Sequence, residues 1–168
     1  MSIFTTKTKF TAPLVSVLAV IALIFVLSAQ TSCNKAEPCN LTVNYVPDRN
    51  TAQNAAMVAF CTARNINYTT DTSGILYQII TPGSSKRPNL CETISMTYTG
   101  TLLNGTQFDA GTISYPLSQL ILGWQIAVPK IGKGGRIKVV IPSSLGYGAQ
   151  ANGSIPANSP LYFDIVLN

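Results

Sequence analysis

The chain has 168 residues, of which 46% are hydrophobic and 10% charged, with a net charge of +5 and no histidine. That length suits one domain with a real core plus a further segment. The missing histidine excludes Ser/His/Asp and Cys/His nucleophile systems, histidine bases and most metal sites, and the small, scattered positive excess excludes a nucleic-acid surface.

The first element is an export signal. KTKFTAPLVSVLAVIALIFVLSAQTSC places Lys7 and Lys9 before an apolar run over residues 13–27, followed by small and polar residues ending at Cys33. A spanning helix needs roughly 20 apolar residues, so the run reads as a secretory signal. Cysteine directly after Thr31 and Ser32 resembles the lipobox of bacterial lipoproteins, in which that cysteine becomes the lipidated first residue. Gln30 stands where the lipobox usually has leucine. The expected layout is therefore a signal peptide over 1–32, a lipidated tether over 33–47, a helical segment over 48–72 and the main domain over 73–168. A membrane contact through the lipid follows from this layout.

Cys39, Cys61 and Cys91 remain. Export to an oxidising compartment predicts one disulfide among three possible pairings, with one thiol left over. Cys61, inside an apolar helical run, reads as a small buried hydrophobe. The spacing selects no pair, and without a CxxC the chain is not a redox enzyme.

DRNTAQNAAMVAFCTARNIN predicts a helix capped by Asp48 or Asn50 and running to about Arg64. Met57, Phe60 and Cys61 form its apolar side, which docks on the following domain. From Ser73 onward the pattern turns to strands. ILYQIIT is closed by Pro82 and Gly83. In ETISMTYTGTLL, Ile94, Met96 and Tyr98 alternate with Ser95, Thr97 and Thr99. Asn104 and Gly105 make a tight hairpin turn, since both tolerate positive φ, and TQFD returns. SQLILGWQIAVPK predicts a short helix carrying the one tryptophan, Trp124. GRIKVVIP points Ile137, Val139 and Ile141 inward and Arg136 and Lys138 outward. PLYFDIVL points Leu161, Phe163, Ile165 and Leu167 inward and Tyr162 and Asp164 outward. The sum is an α+β domain: a curved antiparallel sheet wrapped around one short helix, with an extra N-terminal helix.

Tyr98, Phe108, Trp124, Tyr147 and Phe163 all fall at strand ends, in turns or on the short helix. Rings in so small a domain usually belong to the core. Asp109 beside Phe108 points elsewhere, because a carboxylate next to a buried ring needs a partner, and the Tyr98 hydroxyl is within reach of a strand pair. Residues alone thus give an apolar, ring-lined cleft with a few polar groups, the usual form of a small-ligand or peptide site.

YTGTLLNGTQFDA, LILGW, IPSSLGYG and GSIPANSPLYFDIVL, in this order and spacing, closely resemble the FKBP-type peptidyl-prolyl isomerases over roughly residues 73–168. The resemblance implies an FKBP-like fold, proline-containing polypeptides as substrates and no cofactor. It makes Trp124 the floor under the proline ring and Tyr98, Phe108 and Phe163 the walls, with Leu120 and Ile121 beside them. Tyr147 would donate its hydroxyl to a substrate carbonyl, Ile155 would close the pocket, and Asp109 would bias the field on the bound amide. Residues 147–156 become a flap, apolar because it lies against the peptide. Residue by residue, Tyr98, Asp109, Tyr147 and Phe163 are the expected catalytic set.

The chain departs from the family pattern in four places, one of them a flap one residue shorter than usual. AGTIS after Asp109 is short, Ile113 stands about where an aromatic faces the proline, and no arginine is available to pair Asp109. These bear on turnover and substrate preference more than on binding. The alternative is a peptide-binding, chaperone-like lipoprotein module with weak or no turnover. The expected setting is the cell envelope, facing the periplasm or cell exterior. A monomer is the simplest state, since docking on its own domain already uses the leading helix.

Overall fold

The computed structural model of the protein describes residues 39–48 and 50–168. The expected signal peptide and the cysteine expected to carry a lipid, Cys33, lie outside these residues. Among the described residues no helix is long and apolar enough to cross a membrane.

Helix α1 spans Thr51–Ala63, and its cap is Asn50, whose side chain accepts from the Gln53 amide at 3.1 Å. This satisfies one of the amide donors left open at a helix start. The helix stops where Asn65 takes a left-handed φ of 52°. Strands β1 (Thr69–Thr70), β2 (Leu76–Thr81), β3 (Thr93–Leu102) and β4 (Gln107–Pro116) follow. The short helix α2 (Leu122–Ala127) then leads to β5 (Arg136–Ile141) and β6 (Leu161–Leu167). The six strands form one sheet in the order β1-β2-β5-β6-β3-β4, antiparallel throughout.

Period-two alternation decides which side chains face inward. On β6, Leu161, Phe163, Ile165 and Leu167 are buried, and opposite them Ile137, Val139 and Ile141 of β5 and Ile94 and Met96 of β3 complete the layer. Helix α2 fills the concavity with Trp124 and Ala127. The opposite face of the sheet is also covered. Met57, Phe60 and Cys61 of α1 pack with Leu76, Val140 and Ile66, and the Phe60 ring tilts against Tyr162 at 5.2 Å. Tyr162, expected to point to solvent, therefore shares a second apolar cluster with the helix.

The sequence reading closes the strand after the hairpin at Asp109, but β4 continues to Pro116. It pairs with β3 along its whole length, down to Pro116 opposite Thr93, and Thr97 and Thr112 share a hydroxyl hydrogen bond of 2.9 Å. β4 lies at the sheet edge and is mostly exposed, so the alternation that marks a half-buried strand is faint there. In the hairpin Gly105 alone takes a positive φ, 93°, while the Asn104 side chain accepts from the Thr106 amide.

Residues 39–48 run along the domain without regular structure. Val43 and Tyr45 pack on the main core, and Cys39 forms a disulfide with Cys91, just ahead of β3. Cys61 is free and fully buried, and burial pushes its thiol pKa up, which leaves it unreactive.

Candidate functional site

The site begins with a break in strand pairing. Gly100 of β3 faces Asp109 of β4, whereas Thr101 faces Gln107, so Phe108 is an extra residue on β4. Neighbouring residues on a regular strand point to opposite faces, and a bulge re-aims one of them. Phe108 and Asp109, adjacent in sequence, consequently line the same cavity.

That cavity is small, about 110 Å³, and opens at the end of the concave face. Trp124 from α2 and Phe163 from β6 are deeply buried there, with ring centroids 5.1 Å apart and planes at 84°. Tyr98 meets Trp124 edge-on at 4.9 Å, and Phe108 meets Phe163 edge-on at 5.5 Å. Edge-to-face packing suits the ring quadrupoles and fixes each ring more firmly than area alone. Leu120, Ile121 and Ile113 complete the apolar wall, and Tyr147 stands at the mouth, 38% exposed. The approach to α2 is held by Gln125, whose side-chain amide donates to the carbonyls of Leu120 and Ser118 at 2.7 and 3.1 Å. The indole N–H of Trp124 is buried without a hydrogen-bond partner. Such orphaned donors are rare in folded proteins.

Polar groups are few. The Tyr98 hydroxyl donates to Asp109 Oδ2 at 2.5 Å. Burial, then the hydrogen bond and charge of Asp109, push the Tyr98 phenol up to about 12. Burial, then the charge of Asp109, push the Tyr147 phenol up as well. Both hydroxyls stay protonated at neutral pH; that of Tyr98 is committed to Asp109, which leaves that of Tyr147 as the donor facing the mouth. Among the described residues no group of three or more His, Cys, Asp or Glu side chains is placed to hold a metal ion.

Eight residues singled out from the sequence line this one cavity: Tyr98, Phe108, Asp109, Leu120, Ile121, Trp124, Tyr147 and Phe163. Ile155 does not. It is 5% exposed, packs into the main core, and is tied to Asn152 by an isolated β-bridge, so it props the loop from beneath. Asp109 finds its partner in Tyr98, while Arg136 makes a two-pronged ion pair with Asp164, each contact 2.8 Å.

Sequence reasoning missed Gly100. It lies beneath the contact of Phe108 with Phe163, and a Cβ there would fall 2.7 Å from the Phe108 ring and 2.8 Å from the Phe163 ring. A glycine directly across from Asp109, inside an otherwise ordinary strand, was the available signal. Larger depressions flank α1, around Asp48 and Asp71 and around Leu103 and Pro160, but no rings converge in them.

With this geometry in view, a sequence model of the family described as FKBP-type peptidyl-prolyl cis-trans isomerase matches residues 84–168, half of the chain. FKBP-type peptidyl-prolyl cis-trans isomerase FkpA of Aeromonas hydrophila is 39% identical over 100 residues, covering 56% of this chain and 37% of its own length. FkpA of Escherichia coli K12 is 38% identical over 103 residues, covering 58% and 38% respectively. The chain thus spans under two-fifths of the length of these curated relatives. The crystal structure of FkpA from Escherichia coli superposes with a TM-score of 0.61 at 34% identity, covering 69% of this chain and 58% of that one. A peptidyl-prolyl cis-trans isomerase from Pseudomonas syringae pv. tomato superposes with a TM-score of 0.60 at 28% identity, covering 73% and 96%.

Proposed function

The chain belongs to the FKBP-type peptidyl-prolyl cis-trans isomerase family, and from that premise we propose that it rotates Xaa-Pro bonds in exported polypeptides. One observation carries the reading: four edge-packed rings and one tyrosine-held carboxylate enclose an apolar hollow with a protonated phenol at its mouth.

The chemistry needs no nucleophile and no cofactor. Rotation about an amide breaks no covalent bond and transfers no proton, and its barrier of about 18–20 kcal/mol comes from amide resonance. A twisted amide loses that resonance and has a less polar carbonyl, so it suffers less than the planar form on leaving water. The proline ring lies on Trp124, walled by Tyr98, Phe108 and Phe163, with Leu120 and Ile121 at the side. The Tyr147 hydroxyl donates to a substrate carbonyl and holds the backbone in a twistable turn. Asp109, held by Tyr98, biases the field across the amide. A thousandfold acceleration requires only about 4 kcal/mol.

The reading extends to export, a lipid on Cys33 and a monomer at the cell envelope, facing the periplasm or cell exterior. The signal-like residues 1–32 and the Cys39–Cys91 disulfide support it, because disulfides persist in oxidising compartments. Cys33→Ser is expected to move the protein from the membrane to the soluble fraction on cell fractionation. Unchanged partition removes the lipid anchor.

Stopped-flow relaxation of a proline tetrapeptide tests the activity itself, with acceleration proportional to protein concentration as the expected result. Ile113, standing where the family has an aromatic, favours the alternative of a peptide-holding module. Peptide binding without acceleration supports that alternative, and loss of both sinks the two together.

A further inference from the structure

Tyr147 does its proposed work from a long loop between β5 and β6, and a donor on a loop needs something to hold it. A closed ring of hydrogen bonds surrounds it. The Gly148 amide donates to the Ser143 carbonyl at 2.8 Å, and the Asn158 amide donates to the Gly148 carbonyl at 2.9 Å. The remaining gap, between Asn158 and Ser143, is closed from outside the loop by Gln53 of α1. Its Nε2 donates to Ser143 Oγ at 2.8 Å and to the Asn158 carbonyl at 3.3 Å, while its Oε1 accepts from the Ser143 amide at 3.0 Å. One side-chain amide therefore grips both ends of the segment carrying Tyr147. Ser143 is 5% exposed, so its amide and hydroxyl depend on this partner. Asp48 adds a strap next door, its Oδ2 accepting from Ser144 Oγ at 2.6 Å.

We infer that Gln53 is a positioning residue for the proposed isomerisation, and that α1 serves the site through it although the helix contributes no side chain to the hollow. The inference rests on the isomerase reading. Gln53 lies outside residues 84–168, the part that the family model matches. The grip has a chemical requirement as well: only a group that both donates and accepts closes all three bonds. Glutamate keeps the acceptor for the Ser143 amide but sets an oxygen against the Asn158 carbonyl. Alanine removes everything.

The test uses the full-length protein with Gln53→Ala, Gln53→Glu and Val58→Ala. The last loosens the packing of α1 on the sheet without touching the loop. For Gln53→Ala the expected result is a tenfold or greater rise in amide hydrogen exchange at Ser143, Gly148 and Asn158, with Ile137 and Ile165 unchanged. KM for a proline tetrapeptide rises about tenfold while kcat stays within twofold, and Gln53→Glu falls between alanine and wild type. Val58→Ala lowers the melting temperature and leaves KM unchanged, which separates positioning from general support of the helix. Unaltered loop exchange in Gln53→Ala overturns the clamp. Faster exchange with KM and kcat both within twofold overturns its role in positioning and leaves the isomerase reading standing. A wild-type protein that fails to accelerate isomerisation overturns that reading and the positioning role with it, while the exchange data still decide whether the clamp exists.

Discussion

Gly100→Ala is expected to lower kcat/KM on a proline tetrapeptide about a hundredfold while the protein still folds. The added methyl falls 2.7 Å from Cε2 and Cζ of Phe108 and 2.8 Å from Cε1 of Phe163, where ordinary contact begins at 3.4 Å. Neither ring has an easy retreat. Phe163 is 2% exposed and packs edge-on against Trp124, and Phe108 is set in place by the bulge in β4. The rings must shift by several tenths of an ångström, and they are the walls of the hollow. Misplacement of about 1 Å in a positioning group costs on the order of 10²-fold in rate, which corresponds to about 2.7 kcal/mol. Overpacking a core by one methyl typically costs about 1–3 kcal/mol of stability, so thermal unfolding must accompany the kinetics. A folded variant with kcat/KM within twofold of wild type would show that the Phe108 and Phe163 junction does not shape the site.

Loss of the Cys39–Cys91 crosslink is expected to have the largest effect on stability. The two cysteines are 52 residues apart, and closing a loop of that size in the unfolded chain contributes about 4 kcal/mol in the chain-entropy account. Small domains have about 5–15 kcal/mol in total. Cys39→Ser with Cys91→Ser should thus lower the urea midpoint by about 2 M at an m-value of about 2 kcal/mol/M. Reductant should do the same to the wild type and nothing to the double variant. Cys61 does not confuse the measurement, because it is free and fully buried. A wild-type midpoint indifferent to reductant would mean that the bond is absent or idle.

What the sequence discloses here follows the range of each interaction. A cap at Asp48 or Asn50, the inward set of β6 and the tryptophan on a short helix depend on neighbours a few residues away, and all three are legible in the string of residues, though only the structure selects Asn50. The aromatic positions were legible as well, but through spacing shared with a family, since Phe108 beside Asp109 breaks strand alternation unless a bulge intervenes. Contacts distant in sequence left no local trace. Gln53 sits in an alanine-rich helix as an ordinary polar residue, and its partner Ser143 is 90 positions further on. Tyr162 alternates toward what looks like solvent, and only the return of α1 over that face makes it apolar ground. Ile155 carries the opposite lesson. An isoleucine in an uncharged flap suggests a pocket lid, yet the tight bridge to Asn152 turns it into the core.

The crosslink at Cys39 also settles how mechanical load enters the domain. Tension arriving from the amino-terminal side passes across the sulfurs to Cys91 and into β3, a strand flanked on both sides by partners. The stretch from 40 to 90 is bypassed. Helix α1 and its amide grip on the loop therefore lie off the line along which that tension travels. With the sulfurs parted, the same tug would reach α1 first and peel it from the sheet.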